Sequence, residues 1–353
     1  MTSKIPVFDG HNDVLLRLYK SASSEVVSDF LNGEDAGHID LKKAKAGALV
    51  GGFFAMYCPS SGNFASLSQQ MSGGKYAIPL PPPLDISEAR KSLSGELAIL
   101  LRIVRASQGA VAICRTAAEI AAAIERGTLA VVLHLEGCEA IDENLNFLEI
   151  LYAAGLRSLG PVWSRNNIFG HGVPFAFPGG PDTGDGLTAS GEKLVAACNE
   201  MKILVDLSHI TEKGFWDVAR LSKAPLVATH SNAHALCASP RNLTDRQLAA
   251  IRDTQGMVGL NFATCFLRPD GNMRRDTELE LMVRQLDYLI EKVGEDHVGF
   301  GSDFDGAMVP EKIDSAAGLP VLIDALRRNG YSEPLLRKLG SANWLAVLAR
   351  TIG

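Results

Sequence analysis

The chain has 353 residues, 34 Lys and Arg against 40 Asp and Glu for a formal net charge of −6, and 46% hydrophobic residues. That balance excludes a disordered or fibrous chain and gives no broad positive field for nucleic acid. The length fits about two average domains, or one α/β barrel with long insertions.

The first residues, MTSKIPVFDG, lack the basic patch and apolar run of about 7–15 residues that a secretory signal needs. No window reaches the ~20 consecutive apolar residues of a membrane span, so no membrane partner is expected. The cysteines Cys58, Cys114, Cys138, Cys198, Cys237 and Cys265 are scattered without a C-x-x-C pair. They read as reduced, buried side chains, and the expected location is cytoplasmic.

Short β-branched or aromatic runs then alternate with segments of helical period, the pattern of βα units around a parallel sheet. Strand signals fall at 7–8, 49–56, 129–135, 157–163, 203–207, 225–229, 257–262 and 298–301, with a short extra one at 111–114. Eight main signals predict a closed (β/α)₈ barrel as one domain over residues 1–353. Predicted helices lie at 86–107, 143–154, 189–201, 211–221, 244–253, 278–293, 315–328 and 332–350. Another starts at Thr116, with Glu119 completing a capping box, and stops at Gly127. Residues 59–84 and 164–187 are long, Gly- and Pro-rich loops. Both follow strands, so both are expected on the C-terminal face as walls or lids of a pocket.

The chemistry lies at the strand ends. The first ends in Asp9-Gly-His11-Asn-Asp13, where period-two alternation puts His11 and Asp13 on one face. The third ends in Glu136, the fifth in Asp206-Leu-Ser-His209, the sixth in His230 and the eighth in Asp303-Phe-Asp305. His11, Asp13, Glu136, His209 and His230 exceed what one catalytic zinc takes, and suit two ions sharing a carboxylate. Asp303 is the carboxylate left for general acid–base work. His134 reads as a hydrogen-bonded interior histidine or a partner behind the ligands rather than a sixth ligand, and Asp206 as a support of the barrel interior or of a neighbouring ligand. Asp305 is either a partner behind the site or a loop carboxylate, depending on whether the chain turns after Asp303. Arg165 and His171, in the long loop after the fourth strand, read as ordinary loop residues or modifiers of specificity, with a direct catalytic part as the alternative.

Taken together, D-G-H-N-D at 9–13, E-G at 136–137, D-L-S-H at 206–209, T-H-S at 229–231, S-P-R-N at 239–242 and G-S-D-F-D-G at 301–306 resemble the membrane (renal) dipeptidase family of zinc peptidases. The resemblance implies an amidohydrolase-type barrel with two Zn²⁺ ions per chain. His11 and Asp13 would hold one ion, His209 and His230 the other, with Glu136 bridging. Asp303 would be the acid/base and Arg241 the receiver of the substrate's C-terminal carboxylate. It further implies hydrolysis of dipeptides by a metal-bridging hydroxide, with a D-residue tolerated at the C-terminal position. Unlike the animal enzymes, this sequence shows no secretory signal or lipid anchor, so it resembles the soluble bacterial branch. Those enzymes also have a histidine contacting the scissile group where this chain has Trp163, a single hydrogen-bond donor of fixed charge. The alternatives are an amidohydrolase acting on another small amide, ester or N-acyl amino acid, and a catalytically silent metal-binding protein. A homodimer is plausible on base rates.

Overall fold

The computed structural model describes residues 4–60, 69–71 and 73–353; part of the predicted loop 59–84 lies outside them. Eight strands form the barrel: β1 (Val7–Asn12), β2 (Leu49–Tyr57), β3 (Leu129–Glu136), β4 (Leu156–Gly160), β5 (Leu204–Val205), β6 (Val227–Ala228), β7 (Met257–Asn261) and β8 (Val298–Gly301). They pair in parallel in the order β5-β4-β3-β2-β1-β8-β7-β6. A single parallel bridge between Asp206 and Val227 joins the two ends, with Leu207 N–H donating to Val227 O at 2.9 Å. The expected (β/α)₈ barrel is therefore present, and the short extra strand Val111–Ile113 pairs with the start of β3.

β5 and β6 are shorter than their apolar runs. The cause is a side chain replacing the ladder: Thr229 N–H donates to Asp206 Oδ1 at 2.8 Å instead of to a backbone carbonyl. Helix starts follow the predicted capping chemistry, with Thr116, Thr188, Thr211 and Thr244 each accepting a backbone N–H of the first turn. The full capping box sits at Thr244 and Gln247. At Thr116 the Glu119 carboxylate instead takes the Arg115 N–H at 2.6 Å, one residue earlier than predicted. The predicted helix 332–350 is broken into Glu333–Arg337 and Asn343–Thr351 by a π-turn over Lys338–Ala342.

The broken helix has a use. It carries Trp344 into the N-terminal end of the barrel, where the indole donates to Phe300 O at 2.9 Å and packs edge-on against Phe53. A Cβ at Gly299 would lie 2.7 Å from Trp344 Nε1, so this seat requires glycine. The floor of the barrel is thus apolar, built from Phe8, Phe53, Val132, Val227, Met257 and Trp344. The opposite, C-terminal mouth is left for polar side chains. Over that mouth the two long loops meet, because Tyr76–Ala77 and Ala176–Phe177 form an antiparallel ribbon. The loop after β7 joins them through Met273 N–H to Met71 O at 3.0 Å and Tyr76 O–H to Gly271 O at 3.1 Å. Among the described residues no helix is long and apolar enough to cross a membrane.

Candidate metal centre and active site

Phe8 and Gly10 of β1 face the barrel interior, against the apolar floor. Strict alternation from there would turn His11 away from it. The pairing of β1 with β2 is irregular between Asp9 and Asn12, and this local shift brings His11 into the mouth. Asp13 does not follow by alternation either. The strand stops at Asn12, and Asp13 is the N-cap position of helix Val14–Lys20. The predicted convergence holds, with His11 Nε2 3.3 Å from Asp13 Oδ2, but a strand-to-helix turn produces it.

Glu136, at the end of β3, is the centre of the cluster. Its Oε1 lies 3.6 Å from His11 Nε2, 3.0 Å from His209 Nε2 and 3.5 Å from His230 Nε2. The Nε2 atoms of His209 and His230 are 3.1 Å apart, and the His11 and His230 rings stack at 3.8 Å. His11, Asp13 and Asp303 form a second close group. Donors at about 2.0–2.2 Å around a tetrahedral zinc stand roughly 3.3–3.6 Å apart, which the observed spacings approach. All of these side chains are buried except that of Asp303, which is partly open to the cavity.

The electrostatics fit a cation. Burial, reinforced by the Arg241 and His11 charges, pushes His209 and His230 well below the ordinary imidazole value, leaving them neutral as metal ligands must be. Burial and the neighbouring carboxylates push Glu136 and Asp303 up. Burial opposes charge on His11, but Glu136 and Asp13 outweigh it and raise the ring to about 10. Neither ring nitrogen of His11 has a hydrogen-bond partner among the described residues, although both are buried. An imidazole without a hydrogen-bond partner among the described residues, beside crowded carboxylates and two neutral Nε2 atoms that face each other, is a donor set that fits a metal ion.

Asp303 follows β8 in left-handed backbone at φ 59, and Asn261 Nδ2 donates to its Oδ2 at 2.9 Å. A Cβ at Gly306 would overlap the Asp13 carboxylate and lie 2.6 Å from Asp303 Oδ1, so glycine is what lets these two groups approach. The chain turns after Asp303, which makes Asp305 a loop carboxylate. It accepts His38 N–H at 2.6 Å and pairs with Arg17 Nε at 3.1 Å.

A cavity of about 700 Å³ opens above the cluster. Asp13, Glu136, His209 and Asp303 lie at its base, Met71, Phe175, Phe266 and Met273 form an apolar side, and Arg17, Lys20, Glu34 and Asp305 a charged one. Trp163 also lines it, 5.7 Å from the His209 ring and 5.0 Å from Tyr57. Tyr57 escaped the sequence reading. Its signal was position alone: the last residue of β2, in register with Glu136. Arg241 lies just outside this lining, fully buried, donating to His230 O at 3.1 Å, with its guanidinium 5.4 Å from the Phe266 ring. It has no ion-pair partner among the described residues, and burial lowers its pKa.

Arg165 and His171 do not reach the cavity. Arg165 ties three loops together through Glu139 Oε1 at 3.0 Å, Ser60 Oγ at 2.7 Å and Cys58 O at 2.8 Å. His171 Nδ1 sits 3.0 Å from Gly186 O within its own loop. His134 is an interior support, bonded to Ser158 Oγ at 2.9 Å and pushed down to about 3 by burial.

Imidazoles and carboxylates from five strand ends, converging at the C-terminal mouth of a parallel barrel, are the arrangement of a metal-dependent hydrolase. Residues 1–352 match the model of the membrane dipeptidase family, peptidase family M19, and the chain belongs to that family. It is 51% identical over 266 residues to the uncharacterized protein in the pqqA 5′ region of Klebsiella pneumoniae, covering 75% of this chain and 96% of that protein. It is also 52% identical to a metallo peptidase from Rhodobacter sphaeroides liganded with a phosphinate mimic of the dipeptide L-Ala-D-Ala. That alignment covers 99% of this chain and all of the other at a TM-score of 0.97. The probable dipeptidase PvdM from Pseudomonas aeruginosa, at 23% identity and a TM-score of 0.81 over 99% of this chain and 96% of that one, shares the fold.

Proposed function

We propose that this chain is a binuclear zinc dipeptidase that cleaves dipeptides bearing a free C-terminal carboxylate, including those with a D-residue at that end. The observation that carries the reading is Glu136 Oε1 within 3.6 Å of the Nε2 atoms of His11, His209 and His230. The 52% identical Rhodobacter sphaeroides structure with its L-Ala-D-Ala mimic supports the substrate class.

In this reading His11 and Asp13 would hold one ion and His209 and His230 the other, with the Glu136 carboxylate serving both pairs. Such a pair acidifies water to near-neutral pH and polarises a carbonyl. Asp303 takes a proton from the nucleophile and returns it to the leaving amine. Asn261 occupies its Oδ2, which leaves Oδ1 for the proton. Arg241 receives the substrate carboxylate, its planar fork suiting a bidentate contact. Trp163 packs beside His209 and shapes the wall against which the substrate rests.

The test is a comparison of L-Ala-D-Ala, L-Ala-L-Ala and their C-terminal amides on zinc-loaded protein. Both free dipeptides should be cleaved, and amidation should lower kcat/KM by roughly 10–100-fold, the weight of a charge-assisted hydrogen bond. Arg241→Ala should raise KM for the free dipeptides by a similar factor and leave the amides unaffected. Equal cleavage of acids and amides would move the substrate to another small amide. Metal uptake with no hydrolysis of any of them would make the protein a silent binder.

A further inference from the structure

Two hydroxyls stand beside His230, and each has one hydrogen to give. Thr229 Oγ1 donates to Asp206 Oδ2 at 2.7 Å, and Ser208 Oγ donates to Asp206 Oδ1 at 2.7 Å. Both also contact His230: Thr229 Oγ1 is 2.8 Å from its Nδ1, and Ser208 Oγ accepts its backbone N–H at 3.1 Å. Because the Thr229 hydrogen is already committed to Asp206, the hydrogen in the contact with His230 must come from Nδ1. Nε2, the atom facing Glu136 and His209, is then left as a bare lone pair.

Asp206 is buried and accepts two further bonds, from Thr229 N–H at 2.8 Å and Ser208 N–H at 3.2 Å. It offers acceptors only, so neither hydroxyl can reverse without leaving a buried lone pair opposite another. Among the described residues the rings of His134 and His230 stand 3.8 and 3.9 Å from Oδ2, too far for direct bonds, and the Arg241 guanidinium is near enough to interact with its charge. His209 has a simpler arrangement: Ser164 Oγ lies 2.9 Å from its Nδ1, with no carboxylate behind the serine among the described residues.

We propose that Asp206 is a positioning residue that works through Thr229 and Ser208 to hold His230 in the Nδ1–H tautomer and in ring orientation, and so sets the affinity of the metal that His230 would ligate. The inference rests on the metal assignment under Proposed function but not on the substrate. It assigns to the D-L-S-H and T-H-S segments a shared purpose: the polar residues that precede the two histidines are the device that orients one of them.

The test is zinc affinity by chelator competition, together with ¹⁵N NMR of the histidine tautomers in metal-free protein. Thr229→Val keeps the shape and removes the hydroxyl. It should weaken one of the zinc ions by ~10–100-fold, the usual effect of losing a partner behind a ligating histidine. The His230 signal should change from a single Nδ1–H tautomer to a mixture. Thr229→Ser should restore both readouts. Asp206→Asn, which presents a donor to one hydroxyl, should weaken the same ion at least as much. Wild-type zinc affinity in Thr229→Val, or a Thr229→Ser protein as impaired as the valine variant, would overturn the proposal. Neither readout involves dipeptide turnover, so a failed substrate assignment and a failed relay give different results.

Discussion

The two halves of the barrel mouth use the same part to different effect. On the β5/β6 side Asp206 holds two hydroxyls that in turn hold His230 by ring and backbone. On the β1/β8 side Asp9 is equally buried and is likewise bonded by a serine, taking Ser302 N–H at 2.7 Å and its hydroxyl at 2.8 Å. There the network stops at backbone: Ser302 Oγ reaches His11 O at 3.2 Å, and among the described residues the His11 ring has no hydrogen-bond partner. One half fixes its imidazole by hydrogen bonds. The other places it by strand irregularity and leaves its ring to the carboxylates, and to a cation when one is bound.

The largest effect should come from the residue that joins the halves. Glu136→Gln removes the charge shared by His11, His209 and His230, so both ions should be lost and hydrolysis abolished, as metal content and activity would show. Retention of one ion at full occupancy would mean that the halves are independent. Next comes Asp303→Asn, which should keep both ions while kcat falls ~10²–10⁴-fold, the usual weight of general acid–base help. Loss of metal in that variant would make Asp303 a ligand of the β1/β8 half instead. Gly306→Ala confronts only that half, pressing a methyl against Asp13 and Asp303. Roughly 10²-fold lower turnover is expected, the scale of an ångström's displacement in a catalytic group. The ion held by His209 and His230 should stay, and its loss would contradict the separation.

The smallest effect on turnover is expected outside both halves. Burial raises Glu96 to about 8, against the hydrogen bonds that Tyr57 N–H and the Ser92 hydroxyl donate to it. The folded state therefore keeps a proton that the unfolded chain releases above 4.5, and this contribution to stability is lost as pH climbs from 4.5 to about 8. Glu96→Gln cannot ionise. Its advantage over wild type in urea melts should grow across that window to on the order of a few kcal/mol and then level off. A difference independent of pH would show that Glu96 is not the group responsible.

Strand ends were legible because a hydrophobic run that stops at His, Asp or Glu has one physical meaning in a parallel barrel: apolar wall, then polar mouth. Glu136, His209 and His230 stand where that pattern puts them. Supports such as Thr229, Ser208 and Asn261 were not legible as parts of the site, because a small polar residue has many uses in a chain. Only the count of donors and acceptors around a ligand reveals which one it has. Gly306 closes the G-S-D-F-D-G motif, but its reason became visible only where a Cβ would press on the Asp13 and Asp303 carboxylates.

By itself, the sequence determined the number of strands, their common direction, the polar end of the barrel and the residue types gathered there. Those follow from local periodicity and from where apolar runs end. The tertiary structure decided how His11 and Asp13 meet, through a shifted register in β1 and a helix that begins at once. It also decided that Asp305 turns to Arg17 and His38, and that the two long loops pair over the cavity. These outcomes depend on contacts between segments far apart in the chain, and on hydrogen bonds whose direction is fixed only when every partner is in place.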